Sequence, residues 1–220
     1  MTEITIIGGH GKVGLQLSRL LAAQGDTVNA VIRKEEQRQD VQDTGANPVV
    51  ADVQDMDVAA LTELLSGQDA VVWSAGAGGG SPERTYAVDR DAAIRSMDAA
   101  EAAGVKHYVM VSYMGAGQDH GVPEDNDFHA YAQSKADADD HLRASSLTWT
   151  ILGPGMLTDD AATGAIALGR AGEGESNTTA RGNVALVAAR VLADPRGTAK
   201  KFIEFADGDT PVAEALDSLD

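Results

Sequence analysis

Short apolar runs alternate with longer amphipathic stretches along the whole chain. Runs rich in β-branched residues predict strands at Ile4–Ile7, Thr27–Ile32, Pro48–Val50, Ala70–Trp73, His107–Ser112, Thr148–Leu152 and Phe202–Phe205. Between most of them lie stretches with helical spacing, and the first of these places Val13, Leu17, Leu20 and Leu21 on one apolar face. Strands that alternate with helices are typical of βαβ units. We therefore expect an α/β fold with a doubly wound parallel sheet, in a single domain over residues 1–220.

Glycine, proline and polar residues mark the boundaries of other segments. Ser81 followed by Pro82 predicts the start of a long helix, and Gly104 predicts its end. The polar stretch Ala116–Asp127 predicts a surface loop after the fifth strand, and the glycine-rich stretch Gly164–Asn183 has the least regular pattern. In a doubly wound sheet both stretches lie where loops form the substrate side, so we expect a small C-terminal substrate-side region.

The composition excludes several classes of site and partner. None of the 220 residues is cysteine, which excludes disulfides, thiolate metal sites and a cysteine nucleophile. Acidic residues outnumber basic ones by 34 to 17, and the formal charge of −17 disfavours nucleic acid and anionic membrane surfaces as partners. We recognise no signal peptide and no stretch near the roughly 18 apolar residues of a membrane span. We therefore expect a cytoplasmic protein, with monomer and homodimer both open.

The first predicted strand runs directly into a glycine-rich loop and then into the first amphipathic stretch. Gly8, Gly11 and Gly14 give the pattern G-x-x-G-x-x-G in this strand–turn–helix context. Gly8 permits a tight turn, Gly11 lets the backbone approach a pyrophosphate, and Gly14 lets the helix pack closely. The helix N-terminus adds partial positive charge. The loop therefore predicts a dinucleotide site, in which three further loop residues lie near the phosphates: His10, Lys12 and Val13.

The residues after the second strand indicate which dinucleotide is bound. NAD-specific sites usually carry a carboxylate there, but this strand ends in Ala30-Val31-Ile32-Arg33-Lys34. The Arg33 guanidinium suits a ribose 2′-phosphate, so NADP is favoured over NAD. Residues after the next two strands are expected near the adenine (Asp52, Val53) and near the nicotinamide-side ribose and pyrophosphate (Ala75, Gly76, Ala77).

These motifs resemble those of the short-chain dehydrogenase/reductase superfamily, in particular its atypical NAD(P)H-binding, epimerase/dehydratase-like branch. The resemblance covers nearly the whole chain. Its marks are IIGGHGKVG (6–14), ADVQD (51–55), VVWSAGAG (71–78), AAEAAGVKHYVMVSYMGA (99–116), YAQSKADADDHLRASSLTWTILGPGMLTDD (131–160) and FIEFADGDTPVAEAL (202–216). The resemblance implies a Rossmann-like fold, NADP or NAD binding and, in some members, reduction of a carbonyl group.

The catalytic motif of that superfamily, Y-x-x-x-K, matches Tyr131-Ala-Gln-Ser-Lys135. Residues four apart share one helix face, so the ammonium is expected beside the phenol. A nearby positive charge lowers the pKa of a tyrosine, which starts at about 10. The motif thus predicts that Tyr131 passes a proton to a carbonyl oxygen, while Lys135 also holds the nicotinamide ribose.

A third catalytic hydroxyl is expected after the fifth strand, where it would polarise the substrate carbonyl. The superfamily often has two consecutive hydroxyl residues there, the second being catalytic, but this chain has Ser112 followed by Tyr113. Either residue can fill the role. The chain also departs from its relatives at Gly153-Pro154-Gly155, where they often carry Arg-Pro-Gly.

Other reaction classes lack their motifs. The five histidines form no ligand pair such as H-x-x-x-H, so no metal site is expected. Neither the G-x-S-x-G of a serine hydrolase nor the G-x-x-x-x-G-K-[ST] of a triphosphate hydrolase is present. Two functions remain: an NADP-dependent oxidoreductase that transfers hydride between the nicotinamide and a small carbonyl-type substrate, or an NADP(H)-binding redox sensor or regulatory protein with little turnover.

Overall fold

A computed structural model of the chain describes residues 1–78, 81–170 and 177–219. Its strands are β1 (Glu3–Ile7), β2 (Thr27–Ile32), β3 (Asn47–Val50), β4 (Ala70–Trp73), β5 (His107–Val111), β6 (Thr148–Pro154), β7 (Met156–Thr158), β8 (Ala165–Leu168), β9 (Thr178–Ala180), β10 (Lys201–Asp207) and β11 (Thr210–Pro211). All predicted strands are confirmed, as β1 to β6 and β10. Residues 171–176 of the irregular stretch Gly164–Asn183 lie outside the described residues.

The main sheet has nine strands in the order β11-β8-β10-β6-β5-β4-β1-β2-β3. From β3 to β10 each strand runs parallel to its neighbour. The chain builds outward from β1 to β3, returns to β4 and builds outward on the other side, which confirms the doubly wound fold. At the far side β8 and β11 add two short antiparallel strands, while β7 and β9 pair separately. The two outer strands each contain a proline, Pro48 in β3 and Pro211 in β11.

The helices are α1 (Lys12–Gln24), α2 (Arg38–Gln42), α3 (Val58–Leu64), α4 (Pro82–Thr85), α5 (Ala93–Ala103), α6 (His129–Ala144), α7 (Arg181–Ala193) and α8 (Val212–Asp217). They cover both faces of the sheet. Leu17 of α1 and Val187 of α7 belong to the core on one face, whereas Met97 of α5 and Leu142 of α6 belong to the core on the other. No described helix combines the length and apolar character that a membrane crossing requires.

The predicted helix from Ser81 to Gly104 is present, with one irregular turn. The Ser81 side chain caps it by accepting a hydrogen bond from the backbone of Arg84, and Gly104 ends it at φ 72°. Between α4 and α5 the residues Tyr86–Ala92 form a π-helical segment. Such insertions occur frequently at functional sites, and this one buries the carboxyl of Asp89.

Candidate functional site

The glycine loop closes tightly over the end of β1. Gly8 has φ +92°, and a Cβ there would lie 2.5 Å from the backbone nitrogen of Ala75. A Cβ on Gly14 would lie 2.6 Å from the carbonyl oxygen of Gly8, so the first turn of α1 packs on the loop itself. Gly11 donates its backbone N–H to that same carbonyl at 2.9 Å and begins the helix. Gly8 and Gly14 are therefore required by the packing of the loop, because a side chain at either position would collide with neighbouring backbone.

A groove of about 380 Å³ lies at the carboxyl ends of β1, β2 and β4. Eight of the predicted cofactor residues line it: Gly8, His10, Gly11, Arg33, Asp52, Val53, Ala75 and Gly76. Five others do not line it: Lys12, Val13, Gly14, Ala77 and Lys135. Val13 and Gly14 lie buried in α1, and the Ala77 N–H is bound by Asp89. The groove has the position and size expected for a dinucleotide in a doubly wound sheet.

Two guanidinium groups line this groove. Arg33 is exposed, and no hydrogen bond or ion pair joins its side chain to another described residue. Arg84, in α4, is partly buried and was not predicted, because its helix reaches the groove only through tertiary packing. The Asp52 carboxylate turns back to its own loop and accepts the Gln54 N–H at 3.1 Å. The groove therefore offers local positive charge to an anion despite the acidic chain.

His10 and Lys12 are both engaged with other side chains. The His10 ring contacts Asp40 at 2.8 Å and Gln37 at 3.1 Å. The Lys12 ammonium lies 2.5 Å from a carboxylate oxygen of Asp159, whose other oxygen accepts a hydrogen bond from Arg181 at 2.8 Å. The sequence did not indicate Asp159, which lies just beyond β7 and meets Lys12 through the fold.

A second cavity, of about 550 Å³, is lined by all three candidate catalytic hydroxyls: Ser112, Tyr113 and Tyr131. The rings of Tyr113, Phe128 and Tyr131 contact one another, with centroids 5.2 to 5.6 Å apart. Beyond them the lining is mostly apolar: Met114, Pro154, Gly155, Met156, Leu157 and Asn177. None of these described lining residues is charged. We call this cavity the aromatic pocket.

The pKa of Tyr131 moves in the opposite direction from the prediction. Burial raises it, and the carboxyls of Asp89 and Asp139 raise it further. Lys135 does not offset them, since its ammonium lies 5.9 Å from the centre of the Tyr131 ring. The expectation of a lowered pKa was therefore wrong, because the sequence does not reveal the burial or the two carboxyls.

Lys135 is buried, with 1% of its surface exposed, and lines neither cavity. Its ammonium donates a hydrogen bond to the carbonyl of Val111 at 2.8 Å and lies 3.6 Å from the Met110 sulfur. Burial lowers the pKa of Lys135, against the opposing influence of Asp89 and Asp139. In this arrangement the lysine supports the end of β5, and its contact with a ribose stays a prediction.

Two buried carboxyls near Lys135 were missed by the sequence analysis. Asp139 accepts a hydrogen bond from the Ser112 hydroxyl at 2.6 Å. Asp89 accepts the Ala77 N–H at 2.9 Å and so holds the loop after β4. Asp139 follows Lys135 by one helical turn, and that spacing could have identified it. Asp89 gave no such signal, because its orientation depends on the π-helical segment.

The structure explains why glycine stands at position 153, where relatives often carry arginine. A Cβ on Gly153 would lie 2.6 Å from the Phe202 ring. The guanidinium of Arg143 lies above that same ring, 5.6 Å from its centre. Phe202 therefore occupies the space beside Gly153, so that no side chain fits there without a shift of the ring.

Comparison with known proteins agrees with the fold and with binding of a nicotinamide dinucleotide. A sequence model described as NAD(P)H-binding matches residues 8–195. The uncharacterized sugar epimerase YhfK of Bacillus subtilis is 33% identical over 222 residues, which cover 99% of this chain and 100% of the relative. A Bacillus halodurans structure described as an NAD-dependent epimerase/dehydratase is 31% identical, with a TM-score of 0.89, over 99% of this chain and 100% of that one. The oxidoreductase ylbE of Lactococcus lactis is 30% identical, with a TM-score of 0.84, over 99% and 96%.

Proposed function

The chain belongs to the NAD(P)H-binding family, and we propose that it is an NADP(H)-dependent oxidoreductase acting on an uncharged carbonyl compound. The observation that carries the proposal is the relation between the two cavities. The groove contains the residues that follow β4, and the aromatic pocket contains those that follow β5, its parallel neighbour in the sheet. A dinucleotide in the groove would therefore present its nicotinamide end towards Ser112 and Tyr131.

The preference for NADP rests on Arg33 and Arg84. Both guanidiniums line the groove, and no hydrogen bond or ion pair joins the Arg33 side chain to another described residue. A ribose 2′-phosphate can accept charge-assisted hydrogen bonds from such groups. The first carboxylate after β2 in the chain is that of Glu35, and it forms an ion pair with Arg38 at 2.6 Å. This pairing reduces the negative charge that a bound phosphate would meet.

The hydroxyl groups of the aromatic pocket suit a carbonyl substrate. Tyr131, with its raised pKa, stays protonated throughout the working pH range and can donate a hydrogen bond to a carbonyl oxygen. Ser112 lines the same pocket and supplies a second hydroxyl. Bound NADPH would supply the hydride. Together the two side chains would orient the carbonyl and stabilise negative charge that develops on its oxygen.

The lining of the aromatic pocket favours an apolar, aromatic substrate. Two relatives are described as a sugar epimerase and an epimerase/dehydratase, which suggests a polar sugar as the alternative. No charged side chain lines the pocket among the described residues, so a diphosphate-linked sugar would have no cation to bind its phosphates there. Tyr113 and Phe128 instead offer ring faces on which a planar carbonyl compound can stack.

The alternative, a redox sensor with little turnover, is favoured by one observation. The Lys135 ammonium binds Val111 and lines neither cavity, so the motif's lysine is withdrawn from the surface where a cofactor would lie. A sensor requires only the groove, whereas an enzyme requires the aromatic pocket as well.

Calorimetric titration with NADPH and NADH, followed by turnover assays, tests the proposal. We expect NADPH to bind at least about tenfold more tightly than NADH, and to be oxidised by phenanthrenequinone or nitrobenzaldehyde used as probes. Tyr131→Phe should keep NADPH binding but lower kcat by about 10²-fold, since one hydrogen-bond donor is lost. Tyr86→Phe, outside the pocket, is the matched control. Tight NADPH binding without turnover of any carbonyl probe would favour the sensor.

A further inference from the structure

Ser112 and Asp139 form a buried hydrogen-bonded pair behind the aromatic pocket. The Ser112 hydroxyl lies 2.6 Å from one carboxyl oxygen of Asp139, and their residues are 3% and 0% exposed. The second carboxyl oxygen of Asp139 is also buried and has no hydrogen-bond partner among the described residues. Ser112 itself lines the pocket, so it connects a buried carboxyl with the place where a substrate would bind.

Charge balance around Asp139 favours a protonated carboxyl. Lys135 is the buried ammonium of this region, and it interacts with two buried carboxyls, those of Asp89 and Asp139. If both carboxyls were ionised, one negative charge would be left without a buried counter-ion, which is costly in a low-dielectric interior. An ionised Asp139 would also leave its second oxygen without a hydrogen bond. A proton on one of the two carboxyls removes the uncompensated charge, and an unbonded oxygen costs less on a neutral carboxyl than on a carboxylate.

The groups that face Asp139 come from three parts of the fold. They are Lys135, Asp140, Arg143 and Tyr131 on α6, Ser112 and Tyr113 after β5, and Asp89 in the π-helical segment, which acts through Lys135. Burial raises the pKa of Asp139 to about 6, although Lys135, the Ser112 hydrogen bond and Arg143 oppose the rise. The group therefore titrates near neutral pH, where it can hold and release a proton.

We propose that Asp139 is the proton source for carbonyl reduction and that the Ser112 hydroxyl carries its proton to the substrate. This inference rests on the proposed function. It gives Tyr131 a separate role, because a phenol with a raised pKa holds its proton and orients the carbonyl oxygen by a hydrogen bond. Asp139 does not touch the substrate and acts only through Ser112.

The step balances in atoms and electrons. The carbonyl carbon accepts hydride, forming a C–H bond, and the carbonyl is reduced by two electrons while NADPH is oxidised to NADP⁺. The electron pair of the C=O double bond moves to oxygen, which takes the proton of the Ser112 hydroxyl. For this transfer the Ser112 hydroxyl turns its hydrogen from Asp139 to the carbonyl oxygen, and the Ser112 oxygen accepts the proton of the protonated Asp139. The resulting carboxylate lies near the Lys135 ammonium until water returns a proton to it.

The pH dependence of kcat tests the inference, with NADPH and phenanthrenequinone as reactants. In the wild type we expect kcat to fall by about tenfold per pH unit above about pH 6, as Asp139 loses its proton. Asp139→Asn and Ser112→Ala should lower kcat and abolish that dependence. Asp137→Asn and Ser134→Ala are matched controls. Asp137 accepts hydrogen bonds from Gln118 and Gln133 and is not among the groups that face Asp139, and the Ser134 hydroxyl bonds Ala130 within its own helix.

A measurement without turnover provides a second test. The infrared C=O stretch of a protonated carboxyl should titrate near pH 6 in the wild type and disappear in Asp139→Asn. If that band is absent throughout the titration, or if Asp139→Asn turns over with an unaltered pH profile, the inference is overturned and the proposed function stands. If the wild type binds NADPH but reduces no carbonyl probe, the proposed function falls and the inference falls with it.

Discussion

Lys12 and Asp159 form an ion pair of 2.5 Å across the mouth of the glycine loop. Lys12 is the first residue of α1, and Asp159 follows β7, 147 positions later in the chain. Arg181, at the start of α7, binds the same carboxylate at 2.8 Å. One carboxylate thus joins the segment after β7 to the N-termini of two helices. It would compete with a phosphate bound at the glycine loop for the Lys12 ammonium.

Asp159→Asn is therefore expected to strengthen NADPH binding. The change removes a negative charge near the phosphates and frees Lys12, but both side chains are exposed, so solvent and salt weaken the effect. We expect a Kd about two- to fivefold lower by calorimetry at low salt, with the difference shrinking as salt is added. Asp160→Asn, at the next position, is the control. An unchanged or higher Kd in Asp159→Asn would refute the competition.

Gly8→Ala should remove cofactor binding, and Gly25→Ala should not. Both glycines have φ near +90°, so an alanine costs about 1–2 kcal/mol of backbone strain at either position. Only at Gly8 does the new Cβ meet another atom, the Ala75 nitrogen at 2.5 Å, whereas nothing lies within 4 Å at Gly25. We expect the Kd for NADPH to rise by more than about tenfold in Gly8→Ala alone. Urea denaturation would verify that both variants fold.

Arg33→Ala should reduce the preference for NADPH over NADH. A charge-assisted hydrogen bond to a 2′-phosphate at an exposed site is worth about 1–2 kcal/mol, which corresponds to about a tenfold change in Kd. NADH lacks this phosphate, so its Kd should not change. Lys34→Ala, one position further along the chain and also exposed, is the control. If Arg33→Ala raises the Kd of NADPH and of NADH equally, Arg33 does not bind the 2′-phosphate.

His107 is expected to make the fold sensitive to acid. Burial lowers the pKa of His107 to about 4, from an ordinary value of about 6.5. The unfolded chain therefore binds a proton on this histidine at a higher pH than the native chain. The contribution of neutral His107 to the free energy of unfolding is complete above about pH 6.5 and is lost as the pH falls towards 4. Protonation of His107 alone should lower the free energy of unfolding by roughly 2–3 kcal/mol at about pH 4.5.

His107→Gln tests this expectation, since glutamine can keep a hydrogen bond with Thr150 but does not gain a proton. The difference in unfolding free energy between neutral pH and about pH 4.5, measured with urea, should be smaller in this variant than in the wild type. His141→Gln, where the ring is partly exposed beside Asp98, serves as the control. If acid lowers the unfolding free energy equally in the wild type and in His107→Gln, other groups cause the decrease.

Local sequence patterns predicted the parts of the fold that depend on local preferences. The strands β1 to β6 and β10, the Ser81 cap and the Gly104 end each follow from nearby residues. The short strands β8 and β11 were missed because they exist only by pairing at the edge beside β10. The π-helical segment was missed because one extra residue in a helix leaves no periodic signal.

The candidate site, like the fold, could be predicted only where local spacing in the sequence determines it. Fixed spacings revealed the glycine loop and the pair Tyr131 and Lys135, whose positions follow from one turn or one helix. Arg84 and Asp159 reach the groove and the loop from distant segments, and no spacing predicts such an approach. The direction of the Tyr131 pKa was wrong for the same reason, since burial is a property of the packed chain.

The two prolines in the outermost strands have a consequence for how copies of this chain can meet. Proline has no backbone N–H, so a strand from another molecule laid along β3 or β11 would find a missing donor at Pro48 or Pro211. Extension of the sheet from one molecule to the next is therefore disfavoured, and with it the growth of fibrous assemblies. Copies that do associate are expected to join through their helices.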